Sequence, residues 1–293
     1  MCKQPDILYH YCSLDTFLKI IENGSVRLSD LSQSNDAQEG RYVIKLLDGH
    51  FDQMSLPNKL IGILKDFFAQ AINHIGALGF CLSENGDLLS QWRGYGDDVR
   101  GVALGFNSFA LELCAREHGE MRGVKLADVK YGIGASDNLI SNVCRQIEEL
   151  NFEKIDLAEF SDELTLQYII SGYAAKERAP KLTELVAAKI AILAFNLGQQ
   201  CFEFKNDAFK EELEWRLLRE RNIRNGSEIA YHARGSRIVA FQDVPFGDSL
   251  QSIVLGPRCE VPEQEMRLAL TRFGQKGFGD EKITITKSVA TYR

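Results

Sequence analysis

The chain has little of what usually divides or exports a protein. Only six of its 293 residues are proline, no low-complexity tract interrupts it, and no segment repeats at a fixed period, so nothing reads as an interdomain linker or a solenoid. Long hydrophobic runs are missing too. The stretch Ala187 to Phe195 is broken by Lys189 and falls well short of the ~20 residues a membrane-spanning helix needs. The N-terminus, Met1-Cys2-Lys3-Gln4-Pro5-Asp6, has no apolar stretch before a small-residue cleavage site, so no export signal and no membrane partner is expected. No Gly-x-Ser-x-Gly elbow, phosphate-binding P-loop or His-Glu-x-x-His helix appears, which removes several hydrolase and nucleotide-hydrolysing classes. Excess positive charge is also absent. With 34 basic against 41 acidic residues, the formal net charge is -7, so nucleic acid is not indicated as a partner. The basic residues Arg216, Arg219, Arg221 and Arg224 cluster late in the chain and read either as a local patch or as a solvated strand edge. The seven cysteines are scattered singly, some inside apolar patterns such as Gly79-Phe80-Cys81-Leu82. Without zinc-knuckle or redox-dithiol spacing they read as reduced core thiols, which points to a cytoplasmic protein and to no metal site.

What is present suits a folded core. Hydrophobic residues make up 45% of the chain and aromatics 10%, enough for a substantial interior. One domain over residues 1–293 is expected, with a mostly helical insertion at about 136–205. Ile7 to Tyr11 reads as a strand, and Ser13 is placed to cap a helix from Leu14 to Asn23 that Gly24 stops. Val26 to Leu28 is a second short strand. Pro57 opens an amphipathic helix with Leu60, Ile63, Leu64, Phe67 and Phe68 at helical spacing. Ala77 to Ser83 and Gly101 to Phe106 read as strands, and Asn107 caps a helix ending near Gly119. Late strands are predicted at Glu212 to Arg219, Glu228 to His232, Arg237 to Phe241, Ser252 to Leu255 and Lys282 to Thr286, with a helix from Glu263 to Phe273. Short strands between unequal helical blocks lack the rhythm of a doubly wound sheet. The fold class expected is α+β with a mixed, largely antiparallel sheet.

The stretch Lys205 to Leu218, with Glu211-Glu212-Leu213-Glu214-Trp215-Arg216-Leu217 at its centre, holds the densest chemistry. In a strand starting near Glu212, the period of two puts Leu213, Trp215 and Leu217 on one face and Glu212, Glu214 and Arg216 on the other. Paired carboxylates beside a guanidinium can hold one group ionised while raising the pKa of the other. An exposed face with an ordinary ion pair is the alternative. His10 ends the first strand between two tyrosines, where a ring nitrogen can face a ligand or serve structure. Trp92 and Tyr95, three apart, form either an aromatic wall for a flat ring or core packing. Asp36 and Glu39 have capping-box spacing or contact a ligand. His50, His74, His118 and His232 are isolated and receive no role.

Together these segments resemble a bacterial family, domain of unknown function 2971. The resemblance rests on Leu8 to Tyr11, Asn35 to Glu39, Leu82-Ser83 with Trp92 and Tyr95, Gly101 to Phe106, Phe209 to Arg216, Leu255 to Pro257 and Tyr292-Arg293. It departs at Gln91-Trp92-Arg93-Gly94, where the family often has Met-Trp-Ser-His. A further analogy is with ADP-ribosyltransferases, whose first strand ends in histidine or arginine and whose late strand opens on a Glu-x-Glu or a single glutamate. That analogy implies an ADP-ribosyltransferase-like sheet and NAD as substrate without a metal. Glu214, with Glu212 as its neighbour, would bind the ribose hydroxyl and stabilise the cationic sugar. His10 would contact the nicotinamide side and Trp92 or Tyr95 would flank the ring, with Tyr11, Ser83 and Arg216 among the cofactor contacts. ADP-ribose would pass to an unknown macromolecular acceptor or to water, as in a toxin or defence effector. Two competing functions are a non-catalytic nucleotide- or peptide-binding module and a nuclease holding magnesium with Asp36, Glu39, Glu212 and Glu214.

Overall fold

The computed structural model describes residues 3–33, 40–117, 123–150, 152–153, 182–221, 229–279 and 282–291. Local signals decide most of the N-terminal half. Strand β1 (Ile7–Cys12) runs into helix α1 (Leu14–Asn23), where the Ser13 side chain accepts the Thr16 amide and Gly24 closes the helix at φ 61°. That left-handed conformation is open to glycine without a Cβ clash. Strand β2 (Ser25–Asp30) follows, then helices α2 (Tyr42–Phe51) and α3 (Asn58–Ile75). Strand β3 (Ala77–Ser83), helix α4 (Leu89–Gly94), strand β4 (Val102–Asn107) and helix α5 (Ser108–Glu117) come next. Asn107 Oδ1 accepts the Ala110 amide at 2.9 Å, as a capping side chain should. Strands β5 (Lys125–Asp128) and β6 (Lys130–Tyr131) lead to helix α6 (Ile133–Glu148). Beyond helix α7 (Leu182–Cys201) lie strands β7 (Phe204–Lys205), β8 (Glu214–Glu220), β9 (Ala230–Arg234), β10 (Arg237–Pro245) and β11 (Leu250–Leu255), helix α8 (Glu263–Arg272) and strand β12 (Thr284–Lys287).

Ten of these strands form one sheet in the order β12-β11-β4-β1-β3-β2-β10-β9, with β8 paired to β3 and β5 to β8. Its pairings are antiparallel except β11 with β12, and β6 and β7 make a separate parallel pair. The α+β class and the mixed, mostly antiparallel sheet therefore hold.

The pairing of β3 positions everything that follows. One edge is covered along its length by β8, from Ala77↔Glu220 to Ser83↔Glu214. On the opposite edge β1 reaches only Ser83, through Tyr9, while β2 reaches only Leu78 and Gly79. The two strands thus diverge from opposite ends of β3 and leave Phe80, Cys81 and Leu82 without a strand neighbour on that side.

Apolar burial falls into two main clusters. One lies against the sheet and includes Leu8, Phe17, Leu104, Phe106, Leu217, Phe246 and Leu270. The other is helical, and it differs from the expected insertion at 136–205. Helices α6 and α7 come from that stretch, but α2 and α3 complete the same cluster through Phe51, Leu64, Phe67 and Phe68. Residues 154–181 lie outside the described residues. By length and composition α7 alone among the described helices could cross a membrane, yet 56% of its most apolar window is buried within the protein. Arg216 and Arg219 form neither a patch nor a solvated edge, because β8 is an interior strand. Arg216 and Arg219 are buried, Arg219 donates to Gln242 and Arg221 pairs with Asp30, while Arg224 lies outside the described residues.

Candidate functional site

A cavity of about 290 Å³ opens where β1 and β2 diverge over β3. It gathers His10 from β1, Cys81 from β3, Tyr95 from the turn after α4, and Lys205, Glu212 and Glu214 from the segment entering β8. His10 and the two glutamates, about two hundred residues apart in sequence, therefore share one cleft.

The glutamates converge by a route different from the one the sequence predicts. Residues Asp207–Glu212 form a 3-10 helix, Leu213 turns left-handed at φ 45°, and β8 starts only at Glu214. Glu212 is thus not a strand residue, and Leu213 faces solvent instead of joining Trp215 on the buried face. The sharp turn brings both carboxylates to one ammonium. Lys205 Nζ donates to Glu212 Oε2 at 2.7 Å and to Glu214 Oε2 at 3.0 Å. Arg216 completes the cluster with a two-point contact, Nε to Glu214 Oε1 at 2.7 Å and Nη2 to Oε2 at 2.9 Å. Burial alone would raise the Glu214 carboxyl, but the Arg216 guanidinium and then Lys205 override it and hold it at about 2. Glu212 moves the other way: burial and the neighbouring Glu214 raise it against the pull of Lys205. Two adjacent acids with pKa values pushed apart is the condition for one to stay charged while the other exchanges a proton.

His10 fills the gap left by the missing strand neighbour. Its Nδ1 lies 2.9 Å from the Cys81 carbonyl oxygen, and since a carbonyl only accepts, Nδ1 carries the proton. In the neutral ring Nε2 is then an acceptor. Burial lowers the His10 pKa to about 4, against a smaller opposing effect of the Cys81 hydrogen bond, so the ring is neutral at physiological pH. Phe80 stacks on it at 4.1 Å. Cys81 itself is exposed, not the core thiol its apolar neighbours suggest, because the divergence of β1 and β2 uncovers it.

Four residues assigned to the cofactor serve the scaffold. Trp92 is fully buried, donates Nε1 to Asp87 Oδ1 at 2.7 Å and meets Tyr11 edge-on at 4.7 Å. It packs the core and does not line the cavity. Tyr95 lies past the end of α4, so the spacing of three no longer keeps the two rings on one face, and Tyr95 alone reaches the cavity. Arg216 is fully buried, and its Nη1 donates to the Phe202 carbonyl at 2.8 Å. Ser83 is buried, donating Oγ to the Glu212 carbonyl at 2.7 Å and accepting the Asn85 amide. Tyr11 borders the cavity, but its hydroxyl is engaged with Asn85 and Leu88. Asp36 and Glu39 lie outside the described residues.

Sequence reasoning gave no role to Lys205, which opens the glutamate stretch, or to His232, and did not single out Arg27 or Arg234, although all four line the cavity. The last three arrive through the pairing of β2, β10 and β9; the two-residue Gly235-Ser236 turn marks the β9–β10 hairpin, but no local pattern announces that β10 pairs with β2. Lys205 had one usable signal, a lysine seven residues before a Glu-x-Glu. Among the described residues no group of three or more His, Cys, Asp or Glu side chains converges as a metal site.

No curated protein and no solved structure matches the chain. A family model does: that of DUF2971, described as a protein of unknown function, matches residues 91–217, from Gln91 at the cavity through Lys205, Glu212 and Glu214 into β8, and bears out over those residues the family resemblance read from the sequence.

Proposed function

We propose that the cleft binds NAD and cleaves its nicotinamide–ribose bond, passing ADP-ribose to water or to a macromolecular acceptor. The observation that carries this reading is the meeting of a neutral histidine, an exposed tyrosine ring and two carboxylates with divergent pKa values in one cavity. Each has a use in that reaction. Tyr95 offers a ring face to the nicotinamide, and His10 Nε2 accepts from the carboxamide or a ribose hydroxyl. As the glycosidic bond breaks, its electron pair leaves with nicotinamide and the sugar becomes cationic, which fixed negative charge stabilises. Attack by the acceptor oxygen then forms the new bond and releases a proton, for which a carboxylate of raised pKa is a suitable base.

We assign the two glutamates in the reverse order. Glu214 is clamped at both oxygens by Arg216 and Lys205. Among the described residues the Glu212 carboxylate is held by Lys205 alone. Glu212 is therefore the hydroxyl-contacting acid and Glu214 the residue that positions Lys205. With a chelator present, nicotinamide release from labelled NAD is expected, and Glu212→Gln should lower it by roughly 10²-fold, the scale of one lost electrostatic contact to a transition state. No release in the presence of cell lysate as acceptor overturns catalysis.

One observation favours a second reading, a nucleotide-binding module without turnover. Among the described residues each carboxylate already meets a cation, Lys205 or Arg216, so the cluster is held together without a ligand. In that case NAD binds and is recovered intact.

A further inference from the structure

Beyond β12, Ser288, Val289 and Ala290 cross to a carboxylate some two hundred residues earlier in the chain. Asp87 Oδ1 accepts the Ser288 hydroxyl, and Oδ2 accepts the Val289 amide at 2.8 Å. The Ala290 amide donates to Ser288 Oγ at 3.1 Å, which gives the segment a local turn. Asp87 Oδ1 also holds Trp92 Nε1 at 2.7 Å, so one side chain ties the segment to helix α4. Burial alone would raise the Asp87 carboxyl, but the Ser288 hydroxyl, the Trp92 indole and the Val289 and Ala290 amides override it and hold it below its ordinary value.

The turn that α4 feeds has a physical need for such a hold. Asp97, Asp98 and Val99 all have positive φ, and strain of this kind persists only where the surroundings over-determine the backbone. On the β4 side the turn is fixed from the end of β11, where the Arg258 amide donates to the Val99 carbonyl at 3.0 Å and the Gly256 amide to the Gly101 carbonyl at 2.9 Å. On the α4 side it hangs from Trp92, whose carbonyl accepts the Gly96 and Val99 amides at 3.1 Å each. Residues 288–290 secure Trp92 twice, through Asp87 and through Ala290, which packs on the apolar cluster of Tyr11, Trp92, Val99 and Ala103. Neither Asp87 nor any of the three lines the cavity, whereas Tyr95, between Trp92 and the strained residues, does.

We propose that Ser288, Val289 and Ala290 are positioning residues for the cavity: strapped to Asp87, they hold α4 and its strained turn so that the Tyr95 ring stays at the cavity wall. The proposal goes beyond the reading of the cleft as an NAD site and holds for any ligand that meets that ring. Detaching the strap gives the strained turn a way to relax and carries Tyr95 with it, while the Lys205 cluster, set by β7 and β8, stays in place. The Val289 side chain is 88% exposed, so what this residue contributes is its amide and not packing.

Amide hydrogen exchange on the full chain separates positioning from a general structural role. Val289→Pro removes the amide that Asp87 accepts, and Val289→Ala keeps it. Val289→Pro should speed exchange at Tyr95, Gly96 and Val99 by about tenfold, the change in a local opening equilibrium when one charge-assisted hydrogen bond is lost. Exchange at Leu217 and Leu218 in β8 should not change, and Val289→Ala should match the parent at every position. Ser288→Ala, which alters no backbone group, should move the turn in the same direction by a smaller factor and carries the test where proline disturbs the fold. The ring resonances of Tyr95 in tyrosine-labelled protein, assigned with Tyr95→Phe, report the cavity wall directly and should shift in Val289→Pro but not in Val289→Ala. Exchange in the turn that is indifferent to both Val289→Pro and Ser288→Ala, or that rises equally in β8, overturns the strap. Faster exchange with the Tyr95 resonances unmoved overturns its positioning role.

Discussion

Lys205 decides whether two buried acids can coexist. Its ammonium, Glu212 and Glu214 all have side chains at most 13% exposed, so the contacts are little screened by water. Removing one member of a buried ion cluster leaves its partners uncompensated and costs ~3–5 kcal/mol, whereas an exposed pair contributes ~0–1 kcal/mol. Lys205→Met keeps an unbranched apolar stem beside Phe209, whose ring lies 4.7 Å from the ammonium, but deletes the charge. The expected result is a loss of ~3 kcal/mol or more in urea unfolding. Arg27→Met, which breaks the pair with Asp243 where the side chains are 44% and 38% exposed, should cost under ~1 kcal/mol. Equal losses in the two variants would mean that the Lys205 cluster is solvated in solution. The sequence exposed only half of this arrangement. Glu212 and Glu214 were legible because a Glu-x-Glu before an apolar alternation is a local pattern; their shared cation was not, because Leu213 turning left-handed is what brings Glu212 back onto it.

The turn between α4 and β4 carries Tyr95 to the cavity, and it is held by close backbone approach. Asp97, Asp98 and Val99 all have positive φ, at 50°, 48° and 67°, a region costly for residues with a Cβ and most of all for valine. The Gly101 amide donates to the Gly96 carbonyl at 2.8 Å and locks the turn. A Cβ on Gly101 would sit 2.0 Å from the Cys12 carbonyl oxygen, so Gly101→Ala must part β1 from β4 next to His10. At Gly94, the last residue of α4, an added Cβ would meet nothing within 4 Å. Gly101→Ala should therefore cost ~1–3 kcal/mol as overpacking does, a drop of several degrees in melting temperature, together with weaker ligand binding. Gly94→Ala should melt at or above the parent, since alanine favours helix. A Gly101→Ala variant with unchanged melting and binding would show that the turn relaxes without disturbing β1. The strands on either side are legible in their alternation and flanking glycines. The helix α4 and the tyrosine's exit from it are not, because six residues offer too little periodicity to place a ring on one face.

Across the full chain the sequence located strands far better than it located neighbours. His10 stood out as a strand-end histidine, yet its environment comes from β1 and β2 parting over β3, and the cavity side bearing Arg27, His232 and Arg234 comes from β9 and β10 folding back beside β2. Those pairings also set how acid unfolds the protein. His10 titrates at about 4 when folded against an ordinary 6.5. The unfolded chain therefore takes up this proton first, so its contribution is full above pH 6.5 and is lost as pH falls toward 4. Glu214, at about 2 against an ordinary 4.5, contributes fully above pH 4.5 and loses that contribution as pH falls toward 2. Glu212 has the opposite sign, since its pKa is raised by burial first, so it offsets part of the loss in the carboxylate range and little of the loss that begins at the ordinary histidine pKa. Urea unfolding should thus show stability already declining between about pH 7 and 5, where most exposed carboxylates remain ionised. His10→Gln, which keeps a donor for the Cys81 carbonyl, should flatten that upper window and leave in place the decline below about pH 4.5 that Glu214 sets. Should the variant instead follow the parent between about pH 7 and 5, the His10 ring is charged or solvated in the cleft, and its Nε2 is no longer an acceptor for a ligand.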